Sequence, residues 1–254
     1  MNIGEGIICT QGLTSHQRRT ITRLYREQIL MKLARGVYYP ATGYPDLSSR
    51  SRYSLHCLAY GIEGRTLVGR SAACLHDLPI LYDGNSSVEA IGHTKRSGVI
   101  QRDLPPIEIT EIKVAGYRVK VTSPAMTTID LARWRSLGES VRVGDEVLAK
   151  GRATLTDLER CLELRKHGPG TPVAREALGL INGLSESPRE SEVKVALYQN
   201  GYPQPVQQAV IKRYPGGFHW PGGFLLPRSL NCAGIRWSWE NLWAPRESVQ
   251  GVHQ

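Results

Sequence analysis

The 254-residue sequence has no Cys-x-x-Cys pair, no basic start followed by a long apolar run, and nothing approaching the ~20 apolar residues of a membrane-spanning helix. Its five cysteines, Cys9, Cys57, Cys74, Cys161 and Cys232, are odd in number and widely spaced. That spacing indicates neither a disulfide frame nor a cysteine zinc site, and predicts buried free thiols. The first residues, "MNIGEGIICTQGLT", lack the features of a signal peptide, so a cytoplasmic protein with no membrane partner is expected. Internal repeats and low-complexity tracts are missing as well. A phosphate-cradling loop is also missing, because "GGFHWPGGF" is followed by neither Lys-Ser/Thr nor a helical pattern. No cofactor and no metal are expected.

What is present is an ordinary balance of 41% apolar and 22% charged residues, enough to bury a core. The 32 Lys and Arg outnumber the 23 Asp and Glu, and the resulting charge of +9 favours a polyanionic partner. Much of this excess is concentrated near the start. Residues 1–45 carry six basic side chains, Arg18, Arg19, Arg23, Arg26, Lys32 and Arg35, against the acids Glu5 and Glu27.

In that segment Thr14 and Ser15 are capping residues, and Ile21, Leu24 and Tyr25 recur at helical spacing. The apolar runs 29–33 and 37–39 follow, broken by Arg35-Gly36, where glycine supplies the positive φ of a turn. A helix and a hairpin are predicted. A helix-turn-helix reader lays a polar helix face on base edges while a wing reaches phosphate. Gln17, Arg18, Arg19, Thr22, Arg23 and Arg26 on the helix, with Lys32 and Arg35 in the hairpin, are therefore the candidate DNA-binding residues.

Further along, "SRSRYSLHCLAYGIEG" and "GRSAACLHDLP" read as two helices, the second with small residues that permit close packing. "SVEAIGH" and "IEITEIKVAGYRVKVTSP" alternate as strands, with Ala115-Gly116 as a hairpin turn. A helical series follows from Pro124, its third member opening at Thr154 and Asp157 like a capping box. Ser123 or Thr122 is placed to cap the first of these helices, with Asp130 as a polar contact. His76 lacks a neighbouring ligand cluster and is assigned a structural role. The last readable elements are a helix over 188–199, a Gly-Tyr-Pro turn and a strand over 206–212.

Three segments, "LARGVYYP" after a short basic helix, "GRSAACLHDLP" and "VTSPAMTTIDLAR", together with the order of the modules, resemble the antitoxin and regulator family of the type IV AbiE toxin–antitoxin systems, in its longer actinobacterial form. The resemblance runs over residues 7–165. It implies a winged-helix N-terminal domain that binds promoter inverted repeats, and a second domain that counteracts a nucleotidyltransferase toxin. Met126 departs from the pattern, because many such sequences carry arginine there, and any polar role of that side chain is lost.

The acidic run "SESPRESEVKVAL" is similar to the opening of the very-short-patch-repair-like nuclease fold, with Glu190 at the helical acid and Gly201, Pro203, Pro205 and Gln208 in its turn. Such nucleases also need strand carboxylates to share a divalent ion. Beyond residue 212 the acids are Glu240 and Glu247 only, so Glu190 is a residual acid and no catalytic set is assembled. Four of the five tryptophans, Trp220, Trp237, Trp239 and Trp243, fall in this tail without helical or alternating periodicity. Starting each codon one nucleotide later forces glycine at Trp220-Pro221, at Trp237-Ser238 and at Trp239-Glu240, and Lys or Arg at Glu240-Asn241. The same shift permits Val-Asp-Phe and then Glu-Tyr/Phe-Asp-Gly in the order of the missing strands. The tail is read as frameshifted sequence.

The expected fold class is therefore α+β: a winged helix-turn-helix over 1–42, a mixed α/β antitoxin-like domain over 43–183, and an incomplete restriction-endonuclease-like unit over 184–254. The expected function is a non-enzymatic, sequence-specific DNA-binding regulator and antitoxin, its partners double-stranded DNA and a cognate nucleotidyltransferase toxin. The alternatives are a degenerate nuclease targeted to DNA by its N-terminal part, and a protein-interaction module whose basic surface matters little.

Overall fold

A computed structural model describes residues 6–82, 87–92, 98–205 and 207. The chain divides into two units after residue 191, and of the second the structure describes residues 192–205 and 207. The described residues are mixed α+β, with eight helices and two sheets.

The first unit opens with strand β1 (Ile8–Cys9) and helix α1 (Ser15–Arg26). Thr14 and Gln17 form a full capping box at the start of α1, which satisfies backbone donors a helix otherwise leaves open. Ile21 is the buried residue of this helix, and its remaining surface is largely polar. Strands β2 (Leu30–Ala34) and β3 (Val37–Pro40) form the hairpin, and β1 adds to the outer edge of β3, giving the order β1-β3-β2. Gly36 holds φ +75°, and a Cβ there would sit 2.7 Å from Thr10 Oγ1. The turn is locked from the β1 side, because Thr10 donates to Gly36 O through its backbone N–H (2.8 Å) and its hydroxyl (3.1 Å).

Helix α2 (Ser49–Ile62) starts on the Ser48 cap and is buried over most of its length. The elements β4 (Thr66–Leu67), α3 (Gly69–Leu75), β5 (Val88–Ile91), β6 (Val99–Arg102), β7 (Ile109–Val114) and β8 (Tyr117–Thr122) follow. Their five-stranded sheet runs β6-β5-β4-β8-β7, with β4–β8 and β5–β6 parallel and the other pairs antiparallel. A Cβ at Gly61 would meet Val119 Cγ1 at 2.6 Å, so glycine is what lets α2 lie this close to the sheet. The hydrophobic core is continuous across residue 42. It joins Leu33, Ala34, Val37 and Tyr39 of the hairpin to Leu58 of α2, Val121 of β8 and residues of the following helices.

Those helices are α4 (Pro124–Trp134), α5 (Leu137–Ala149), α6 (Leu155–Leu164) and α7 (Thr171–Leu180). Ser123 caps α4 through the Met126 N–H, and Pro124 occupies the first turn, where its missing N–H costs nothing. Thr154 and Asp157 form the expected capping box of α6. Asp145 of α5 gathers the chain beyond α7. Its carboxylate accepts from the backbone of Asn182 and Gly183 (both 3.0 Å) and from the hydroxyls of Ser185 (2.9 Å) and Ser191 (2.6 Å). Helix α8 (Pro188–Gln199) is the last helix among the described residues. Within the second unit its end is closed by Gly201 at φ +74° and by the Tyr202 N–H, which donates to Leu197 O at 3.0 Å.

The helices and the two hairpins follow the sequence pattern, while β1, β4 and β6 are additions to it. Two-residue strands such as β1 and β4 carry no periodicity, and parallel pairing depends on contacts distant in sequence. Among the cysteines, Cys57, Cys74 and Cys161 are buried free thiols as expected, whereas Cys9, at the open edge of β1, is only half-buried. Cys232, the strand expected over 206–212 and the tryptophan-rich tail lie outside the described residues, apart from residue 207.

Candidate nucleic-acid interface

The α1 helix and the β2–β3 turn are held side by side by Tyr25 and Tyr38, whose rings meet edge-on at 5.8 Å. Between helix and turn lies a groove of about 630 Å³. Arg18 and Thr22, one helical turn apart on α1, line one wall; Lys32 and Arg35 come from the hairpin; Cys9 of β1 and the Thr10 and Gln11 that follow it close the third side. Ile21, Val37 and Ile62 supply apolar surface, and Glu63 is the acid in the lining. Glu63 lies 3.6 Å from Arg65, a partner outside the groove.

Arg18, Lys32 and Arg35 are exposed and form no ion pair among the described residues. Three uncompensated cations around one concave surface make a positive field, and the partner such a field attracts is an anion. The other helical candidates take different positions. Gln17 is committed to the cap, its Oε1 accepting from the Thr14 N–H (2.9 Å) and hydroxyl (3.1 Å). Arg23 lies 3.8 Å from Glu27 on the helix exterior. Arg19 and Arg26 are exposed and outside the groove lining. Thr22 donates its hydroxyl back to Arg18 O at 2.9 Å, keeping its oxygen lone pairs for an outside donor. The structure thus gathers Arg18, Thr22, Lys32 and Arg35 and leaves Gln17, Arg19, Arg23 and Arg26 outside the groove. Thr10 and Gln11 were missed from sequence because the short β1 that places them has no pattern of its own.

A second charged cluster is buried. Glu89 of β5 is fully inaccessible; its Oε1 accepts from Arg102 (2.8 Å) and Arg135 (3.1 Å), and its Oε2 from the Arg70 backbone N–H (2.7 Å). The Arg70 guanidinium forks onto both oxygens of Glu139 at 2.8 and 2.7 Å, and Arg102 lies 4.1 Å over the Trp134 ring. Close by in sequence to that ring, Asp130 is buried with Arg165 Nε 3.5 Å away. Burial pushes the Asp130 carboxyl up to about 7, against the opposing pull of Arg165 and Arg133. His76 bonds through Nε2 to Thr122 O at 2.8 Å, and burial holds its pKa below the usual imidazole value, consistent with the structural role assigned to it. No group of three or more His, Cys, Asp or Glu with metal-holding geometry occurs among the described residues. Glu190 also serves locally: its Oε2 accepts from the Glu186 N–H at 3.0 Å, and its other oxygen lies 3.3 Å from the Ser187 hydroxyl.

By class the chain is a mixed α+β protein, and no described helix is long and apolar enough to cross a membrane. Two uncharacterized proteins of Mycobacterium tuberculosis, from two strains, are each 27% identical to it over 165 residues, which is 63% of this chain. The match covers 60% of the length of those relatives. No family model matches the chain.

Proposed function

We propose that the protein is a sequence-specific DNA-binding regulator of the AbiE antitoxin type, in which α1 and the β2–β3 turn act as the reading helix and wing of a winged helix. One observation carries this reading: Arg18, Lys32 and Arg35, unpaired among the described residues, converge with Thr22 on one groove between helix and turn. Phosphate contacts from the cations would fix the register, and Thr22 would face a base edge. Residues 6–42 hold one helix, so the second helix of a helix-turn-helix would be α2, beyond the segment that carries the charge. The test is binding of the purified protein to its own promoter across a salt series. Arg18→Glu and Arg35→Glu should each weaken binding and flatten the log-log salt slope by about one unit per lost phosphate contact. Unchanged affinity and slope in both variants would overturn the reading.

The helices α4, α5 and α6 are the surface we assign to a nucleotidyltransferase toxin, on the strength of the resemblance alone, and we read the chain as non-enzymatic because the sequence lacks the strand carboxylates that would share a metal ion with Glu190. A chain ending at Gln207 should retain promoter binding and, where the adjacent gene encodes such a toxin, relieve growth arrest on co-expression. Persistent arrest counts against the antitoxin role. Metal-dependent nicking of plasmid DNA by the full chain that Glu190→Ala abolishes would instead favour the nuclease alternative.

A further inference from the structure

Cys57 of α2 and Cys74 of α3 are both buried in the core where these two helices pack, and Cys57 stands three residues on from Ser54, on the helix face that meets Cys74. Ser54 Oγ is 3.0 Å from Cys74 Sγ, and the Tyr82 hydroxyl donates to the same sulfur at 3.7 Å. Arg50 stacks 5.4 Å over the Tyr82 ring, which brings a cation to the mouth of the site. Tyr53, bonded to Ser71 at 2.9 Å, closes the inner side. The two thiols differ in access, because Cys57 is fully buried while Cys74 retains 6% exposure beside Tyr82.

We propose that Cys74 and Cys57 form a hydroperoxide-sensitive dithiol, Cys74 reacting first and Cys57 resolving it to an intramolecular disulfide. Donors from Cys57, Ser54 and Tyr82 stabilise negative charge on the Cys74 sulfur, and they pull its pKa down to about 7 in spite of burial. Burial and the neighbouring Cys74 hold Cys57 well above the ordinary thiol range, so it stays the protonated partner. In the first step the Cys74 thiolate attacks one peroxide oxygen; the O–O bond breaks, the leaving alkoxide or hydroxide takes up the proton Cys74 has shed, and Cys74 becomes a sulfenic acid. In the second step the Cys57 sulfur attacks the Cys74 sulfur, the S–O bond breaks, and the hydroxyl departs with the Cys57 proton as water. The two thiols supply the two electrons that reduce the peroxide.

The experiment treats the full-length protein with hydrogen peroxide, blocks residual thiols, and maps tryptic peptides without reduction. The expected product links peptide 53–65, which holds Cys57, to peptide 71–95, which holds Cys74. Its rate should rise with pH through a midpoint near the Cys74 value of about 7, while Cys161, pushed up to about 11 by burial, stays a thiol. Cys57→Ser should leave a sulfenic acid on Cys74 that dimedone traps, and Cys74→Ser should leave Cys57 unmodified. Should either variant fail to fold, the wild-type rate carries the test: the native chain must form this link at least about tenfold faster than the urea-unfolded chain, where thiolate fraction alone governs reactivity. No such link, or one formed no faster than in urea, overturns the proposal.

Discussion

The basic groove and the Glu89 cluster are built from the same side-chain type, yet arginine does opposite work in them. In the groove, Arg18 and Arg35 are exposed and paired with nothing described, so their charge faces outward. In the cluster, Arg70, Arg102 and Arg135 converge on Glu89 and Glu139 below the surface, so their charge is spent inside the fold. A count of +9 does not distinguish the two. What distinguishes them is whether an acid from another element reaches the guanidinium, and that decides between an outward-facing charge and an architectural joint.

The largest effect that would test this contrast is expected at Glu89. Glu89→Gln removes the charge facing Arg102 and Arg135 and leaves both partly buried and uncompensated, which should cost about 3–5 kcal/mol in urea unfolding. Arg18→Ala in the groove should stay within about 0.5 kcal/mol of wild type, since no partner is orphaned. Equal losses at the two positions would show that the groove arginine is as structural as the buried cluster.

A smaller effect concerns Asp130, whose folded pKa of about 7 stands above the ~3.9 of a free aspartate. The unfolded chain then releases this proton first, so the stability associated with the protonated form is complete below pH ~4 and is lost as pH rises through about 7. The loss should be about 2 kcal/mol after discounting for relaxation of the site, and Asp130→Asn should flatten that part of the profile. Denaturation midpoints falling just as steeply with pH in the Asn variant would place the titration elsewhere.

The smallest effect separates Gln17 from Arg18, its neighbour on the same helix. Gln17→Ala breaks half of the capping box and should cost roughly 0.5–1 kcal/mol of stability, with the salt slope of promoter binding unchanged. A drop in that slope as large as for Arg18→Glu would return Gln17 to the DNA contacts.

How far the sequence could be read depended on the range of the interaction. The pattern around Arg35-Gly36 and Ala115-Gly116 was enough for both hairpins, because a turn needing positive φ is a local event, and Gly36 and Gly116 hold φ of 75° and 87°. The Ser123 and Thr154 caps were legible for the same reason, since each side chain bonds a backbone N–H three residues on. Strand β4 was not legible: its two residues pair with β8 more than 50 positions later, and nothing near Thr66 signals it. The candidate site was half legible. Charge and helical spacing pointed to the helix that lines the groove, but Gln17, Arg18 and Arg19 are consecutive and look alike as surface residues until the cap and the groove sort them.

By itself the sequence determined the basic N-terminal segment, the α+β alternation, the helix starts and the tight turns, all set by residues within a few positions of one another. Only the tertiary structure decided which cations remain unpaired and which are neutralised inside. Arg135 reaches Glu89 across 46 positions, Arg70 reaches Glu139 across 69, and Ser54 meets Cys74 by the docking of α2 on α3. Electrostatic and thiol chemistry act over a few ångströms of space, whatever the separation along the chain, and the packed core sets those distances.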